Sequence, residues 1–365
     1  MINITRTDLP PLAKYIVYLN KIWKNHQLTN DSHFTRLLEK RLEGYLKVNN
    51  LLLTSNGTSA LRLSLKALDI KGEVITTPFT FPATVNTLLL ENLIPVFADI
   101  NPETFNIDPV DIERRITRNT TAILAVHIYG NPSHAEKIKK TADRYKLKLI
   151  FDGAHAFGVE YKNKSIFSYG DISTVSLHAT KVFSTGEGGA IIARDKNLYN
   201  RLRLLRNHGI KSETEVIMPG MNAKMNEFQA ALGLCNLKDI DRKIQLRKEL
   251  YEHYKNKLSK LNIQFQKIIA SRYNYAYMPI CLDSKKNREK VYRGLLRNGI
   301  KARRYFYPLI PSFKYIQDVE EKSLRRKNFD VASDIASRVL CIPLFPDLKI
   351  NTINKITEII RSCLI

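Results

Sequence analysis

The sequence predicts an α/β protein, with a large domain on a mostly parallel seven-stranded sheet followed by a smaller α+β domain. Three observations lead there. Short β-branched or aliphatic runs alternate with helix-spaced segments from about residue 50 to 195. The pattern turns helical from about residue 226. The length, 365 residues, suits one large core plus a second, smaller one.

In chain order, strands are expected at LLLTS (51–55), EVITT (73–77), IPVFA (94–98), TAILAVH (121–127), LKLIFD (147–152), STVSL (173–177) and GAIIA (189–193). Between the earlier ones, TSALRLSLKALD, FPATVNTLLLEN, DPVDIERRI and HAEKIKKTADRYK carry apolar residues at helical spacing. From residue 226, NEFQAALGLCNLKDIDRKIQLRKELYEHYKNKLSKL reads as one long helical stretch. Short strands at NYAYMPICL and IKARRYF follow, then helices near 322–339 and 350–363. This places an N-terminal arm and the large domain at 1–239 and the small domain at 240–365. In such a sheet, ligands sit beyond the carboxyl ends of the strands.

Composition narrows the function classes. Hydrophobic residues make up 44% and charged residues 25%, a globular balance that argues against disorder. The formal net charge of +23 would favour acidic partners, but the basic residues are spread through helical stretches such as KNREKVYRGLLRNG rather than gathered in a tail. The expectation is a solvated basic surface, with no nucleic-acid or membrane partner. Cys235, Cys281, Cys341 and Cys363 have neither disulfide-framework nor metal-ligand spacing, so they read as reduced thiols of a cytoplasmic protein without a metal site. The N-terminus lacks the basic-then-apolar order of a signal peptide.

Three places carry chemistry. The turn SNGTSAL follows the first strand and opens a helix, so the N–H groups around Gly57 and Thr58 face outward at the positive end of the helix dipole and can cradle a phosphate; the same residues also suit an ordinary N-cap. Asp152 closes the fifth strand, just before Gly153, Ala154 and His155. A carboxylate there could hold a cationic ring nitrogen or simply cap the next turn. Lys181 lies beyond the sixth strand, with Ser176 before it and Gly186, Glu187, Gly188 and Gly189 after it. A lysine held among apolar and small residues has a depressed pKa and can act as an amine nucleophile. A phosphate turn, an acid at one strand end and a lysine beyond the next describe the three contacts of pyridoxal 5'-phosphate: phosphate, pyridine nitrogen and aldehyde.

The motifs resemble those of the DegT/DnrJ/EryC1/StrS family of nucleotide-sugar aminotransferases, within the fold-type-I pyridoxal phosphate enzymes. The resemblance rests on LTND, SNGTSAL, TPFTFPATVN, PVFADI, VHIYGNP, DGAHAFG, SLHATKVFSTGEGG, RNHG, GMNAKMNEFQAA, YPL and IPLFPDL, in that order along nearly the whole chain. It implies that Lys181 is the Schiff-base lysine, that Asp152 partners the pyridine nitrogen, and that His155 neighbours the cofactor's phenolic oxygen. It further implies that Gly57, Thr58 and Ser176 bind the phosphate and that Phe81 stacks on the ring. Asn222 would reach the phosphate of the neighbouring subunit, which implies a homodimer with shared active sites. His178 and Tyr307 fall in family motifs as substrate-binding residues, and Arg206 and His208 do so with either a functional or a structural role.

The implied reaction transfers an amino group from L-glutamate to a nucleotide-linked keto sugar. His155 resembles members acting at C4 of a 4-keto-6-deoxyhexose nucleotide, where many that act at C3 carry Gln. The overall length and SLHATKVF look like enzymes that make dTDP-4-amino-4,6-dideoxyglucose for O-antigen or another glycan. A dehydratase of the same fold would lack Lys181. A DNA-binding regulator would not need Lys181, Asp152 and Ser176 together.

Overall fold

A computed structural model of the chain describes residues 1–317 and 328–364. The seven expected strands all form: β1 (Leu51–Thr54), β2 (Glu73–Thr76), β3 (Ile94–Phe97), β4 (Thr120–Val126), β5 (Lys148–Asp152), β8 (Ile172–Ser176) and β9 (Gly189–Ala193). Two short hairpins lie outside their sheet, β6 (Glu160–Tyr161) with β7 (Lys164–Ser165) and β10 (Ile210–Ser212) with β11 (Glu215–Val216).

The sheet order is β1-β9-β8-β5-β4-β2-β3. From β8 to β3 all neighbours are parallel, whereas β9 is antiparallel to both β8 and β1. Parallel neighbours need a long crossover. Residues 177–188, between β8 and β9, contain no helix, so β9 turns back. Alternate residues of the strands feed two cores: Leu51, Leu53, Ile123 and Phe151 on one face, Leu52, Val74, Leu124 and Ile150 on the other. A sheet covered on both faces explains why its strands read as near-continuous apolar runs.

Two helices precede the sheet, α1 (Leu12–Asn25) and α2 (His33–Leu46). The four expected crossover helices appear as α3 (Gly57–Ala67), α4 (Pro82–Leu90), α5 (Pro109–Arg115) and α6 (Ala135–Arg144), and α7 (Lys196–Arg206) follows β9.

The long helical stretch is divided into α8 (Glu227–Leu237) and α9 (Ile240–Leu258). Asp239 leaves helical geometry at φ −114°, ψ 9° and stands at the N-cap of α9, a position that short acids favour. Beyond α9, β12 (Ile263–Phe265), β13 (Met278–Leu282) and β14 (Val339–Ile342) form a small antiparallel sheet. Helix α10 (Lys285–Arg297) and the C-terminal helix Ile350–Leu364 accompany this sheet. The strand expected from NYAYMPICL begins only at Met278, because Asn274 gives its amide to the carbonyls of His155 and Phe157 and is tied to the large sheet's loops. IKARRYF forms no strand. It contributes two isolated bridges, Ile300 to Ile2 and Arg303 to Cys341, and then Tyr305 and Phe306 pack against His155 instead. Of the helix expected near 322–339, residues 322–327 lie outside the described residues, Asp330–Arg338 is helical and Val339 already belongs to β14.

Candidate active site

The carboxyl ends of β4, β5 and β8 and the turn after β1 open on one cavity of about 340 Å3. At its β1 corner, Asn56 is extended and its side chain accepts a 2.8 Å bond from the Ser59 N–H, capping α3. The N–H groups of Gly57 and Thr58 have no intrahelical acceptor and point outward at the positive end of the helix. Gly57 lets the two backbones come close, since a Cβ at this position would stand 3.1 Å from the Ser176 Cβ and Ser176 would have to give way by a few tenths of an ångström. Backbone amides and the Ser176 hydroxyl therefore meet at one corner, an anion site by construction.

Asp152 ends β5 and is buried. Its Oδ2 accepts from the Thr84 hydroxyl at 2.9 Å and its Oδ1 from the Ala154 N–H at 3.0 Å. Burial pushes its pKa up, while those two bonds and the charge of Lys181 pull it down. His155 is buried too, with rings of Tyr277 and Phe306 centred 4.8 and 6.3 Å away. Its Nδ1 has no hydrogen-bond partner among the described residues, and burial holds its pKa well below the ordinary imidazole value. A buried polar atom without a partner is costly unless a ligand completes it.

Lys181 rides the loop between β8 and β9. Bonds from Leu177 N–H to Gly188 O and from Thr185 N–H to Leu177 O, both 2.9 Å, close that loop. A Cβ on Gly188 would meet the Thr185 hydroxyl at 2.1 Å, so this tight closure depends on glycine. Burial lowers the Lys181 pKa to about 8, against an opposing pull from Asp152 and with a further push from Arg303. The amine is thus available near neutral pH.

Of the residues expected from the sequence, Gly57, Thr58, Phe81, Asp152, His155, Ser176, His178 and Lys181 all line the cavity. Phe81 is 45% exposed at the first residue before α4, so its ring is free to cover a ligand. His178 Nδ1 pairs with the Thr180 hydroxyl at 2.9 Å, and its Nε2 lies 3.5 Å from Glu187. Asn222 and Tyr307 do not line it. Asn222 is exposed and bridges Asn207, and Tyr307 lies under the Arg288 guanidinium at 4.6 Å. Arg206 has a structural place: it is buried, bonds the Leu53 carbonyl at 2.7 Å and pairs with Asp31 and Glu39. The sequence reading missed Thr84, Tyr277, Arg303 and Tyr305, all of which line the cavity. Thr84 was within reach of a pattern argument, being one helical turn after Phe81. Nothing in a strand-like IKARRYF signals that Arg303 faces a ligand.

An acid fixed by two donors, an unpartnered buried imidazole nitrogen, an anion corner and a depressed lysine fit a flat phosphorylated pyridine aldehyde. Residues 13–361 match the model of the DegT/DnrJ/EryC1/StrS aminotransferase family. The chain is 42% identical to a dTDP-4-amino-4,6-dideoxy-D-glucose transaminase of Shigella dysenteriae, over 99% of this chain and 98% of the relative. It also superimposes on the structure of DesI in the presence of its TDP-sugar product, with a TM-score of 0.92 at 29% identity, covering 100% of this chain and 93% of that one. NtdA of Bacillus subtilis, solved with bound cofactor PMP, gives a TM-score of 0.89 at 28% identity over 97% of this chain and 82% of that one.

Proposed function

Because the chain belongs to the DegT/DnrJ/EryC1/StrS aminotransferase family, we propose that it uses pyridoxal 5'-phosphate to move an amino group from L-glutamate to C4 of dTDP-4-keto-6-deoxy-D-glucose, giving dTDP-4-amino-4,6-dideoxyglucose. The observation that carries the chemistry is the convergence of Lys181, Asp152 and the Gly57–Ser176 corner on one cavity. The sugar follows from the similarity to the Shigella dysenteriae transaminase.

When bound, the cofactor supplies an aldehyde and a ring that accepts electrons. Gly57, Thr58 and Ser176 hold its phosphate. Asp152 keeps a proton on the ring nitrogen, with its carboxylate oriented by Thr84 and Ala154. His155 has its unpartnered Nδ1 to offer to the ring's phenolic oxygen, and Phe81 covers a ring face. Lys181 Nζ would take a proton from the donor's α-carbon in the first half-reaction and, in the separate second half-reaction, would give a proton to the sugar carbon that becomes aminated.

The same reading includes a homodimer in which Asn222 serves the partner's phosphate. Two features support it. Asn222 is exposed and stays outside its own cavity. Helix α1 and its flank leave Leu9, Leu12, Ile16 and Trp23 exposed, the last three on one side of the helix, an apolar face suited to a second copy. We take 1–239 and 240–365 as the two domains, in keeping with a separate apolar cluster built from α9, the small sheet, α10 and the C-terminal helix.

The test is incubation of cofactor-loaded protein with dTDP-4-keto-6-deoxyglucose and 15N-labelled L-glutamate, with the amine located by NMR. Label on C4 is expected. A C3 amine made from the 3-keto isomer, without turnover of the 4-keto sugar, would overturn the C4 assignment and leave the aminotransferase standing.

A further inference from the structure

Among the described residues, Arg303 is the one guanidinium that lines the cavity. Its backbone is fixed to β14 by two bonds, Arg303 N–H to Cys341 O at 2.9 Å and Cys341 N–H to Arg303 O at 2.8 Å. Its guanidinium lies over the Tyr305 ring at 4.0 Å, which holds the planar group in one attitude. The side chain is exposed, and among the described residues no acidic side chain pairs with it. Two acids are among the described residues that line the cavity: Asp152 already accepts from Thr84 and Ala154, and Glu187 lies 3.5 Å from His178 Nε2. A rigid, stacked and unpaired guanidinium inside a cavity is set up for a planar anion, bound through two parallel N–H donors.

We propose that Arg303 is the carboxylate anchor for the amino donor, taking the α-carboxylate of L-glutamate. This rests on the aminotransferase reading above. The anions that enter the cavity differ in where they sit. The cofactor's phosphate has its own corner at Gly57, Thr58 and Ser176. The sugar nucleotide's diphosphate is separated from the reacting carbon by the pyranose ring. The donor's α-carboxylate is bonded directly to the carbon that reacts at Lys181. Arg303 lines the same cavity as Lys181 and His155, so a carboxylate held by it would lie on the side of the cavity where the amine reacts. The keto-sugar half-reaction has no carboxylate there, so Arg303 serves one half of the cycle more than the other.

The experiment separates the halves. Arg303→Gln and Arg303→Lys are loaded with cofactor and checked by circular dichroism. Binding of glutarate, a dicarboxylate that cannot react, is measured by calorimetry, and the L-glutamate and keto-sugar half-reactions are followed in single turnovers. Arg303→Gln is expected to weaken glutarate about 10- to 100-fold and to raise the half-saturating L-glutamate concentration similarly. The keto-sugar half-reaction should change less than about threefold by the same scale, and Arg303→Lys should fall between wild type and Arg303→Gln. If Arg303→Gln does not fold, Arg303→Lys alone must still weaken glutarate more than it slows the sugar step. A larger loss in the sugar half-reaction, or equal losses in both with glutarate affinity intact, would overturn the proposal. A wild-type protein that performs neither half-reaction would instead overturn the aminotransferase reading.

Discussion

Lys181 shows how one residue's surroundings set its chemistry. Burial takes water from its ammonium and lowers its pKa to about 8, so the neutral amine builds up as pH rises through that value rather than through the ordinary lysine range. In cofactor-free protein, the rate at which Lys181 captures added pyridoxal phosphate should therefore rise with a midpoint near pH 8. A midpoint at the ordinary lysine value would contradict the burial. Asp152 is balanced the other way, raised by burial and lowered by Thr84 and Ala154. Asp152→Asn should retain cofactor but lose about 100-fold or more in turnover at every pH, since a neutral amide cannot favour the protonated ring nitrogen. Thr84→Val should be milder in a specific way. It removes one donor to the carboxylate, so the acid limb of the kcat profile should move to higher pH while the plateau is largely kept.

At the scale of elements, one helix end is completed from elsewhere in the chain. Helix α2 has no side-chain cap of its own. The buried Glu227, first residue of α8, accepts from the Phe34 and Thr35 N–H groups, each at 2.8 Å, and from the Thr35 hydroxyl. Glu227→Ala would orphan those donors and should lower stability by about 2–3 kcal/mol, read as a fall in the urea midpoint. This tertiary cap is invisible in the sequence, where residues 34 and 227 have no pattern in common. The seven strands were legible because a sheet buried on both faces writes itself as short apolar runs. The direction of β9 was not, since GAIIA reads the same either way; only the helix-free link through Lys181 encodes its reversal. The break between α8 and α9 was hidden inside an uninterrupted helical period, and IKARRYF looked like a strand because its alternation serves ring packing on His155 rather than a ladder. The site followed the same division. Residues next to a glycine turn or at a strand end, such as Gly57, Asp152 and Lys181, could be read. Thr84 and Arg303 act through tertiary placement.

At the scale of the whole molecule, the cavity joins the large sheet's carboxyl edge to the 303–306 segment, and the reading adds a second copy of the chain. Mixing inactive Lys181→Ala protein with inactive Asn222→Asp protein should restore activity in hybrids, because one site then inherits both defects and the other neither. Confirmed hybrids without activity would remove Asn222 from the shared site. The proposed function requires all these parts to converge on holding a carbonyl cofactor on one amine. Its most direct measurement is borohydride reduction of the fully loaded protein followed by peptide mapping: a pyridoxyl adduct on Lys181 is predicted, and an adduct on another lysine, or none, would contradict the account.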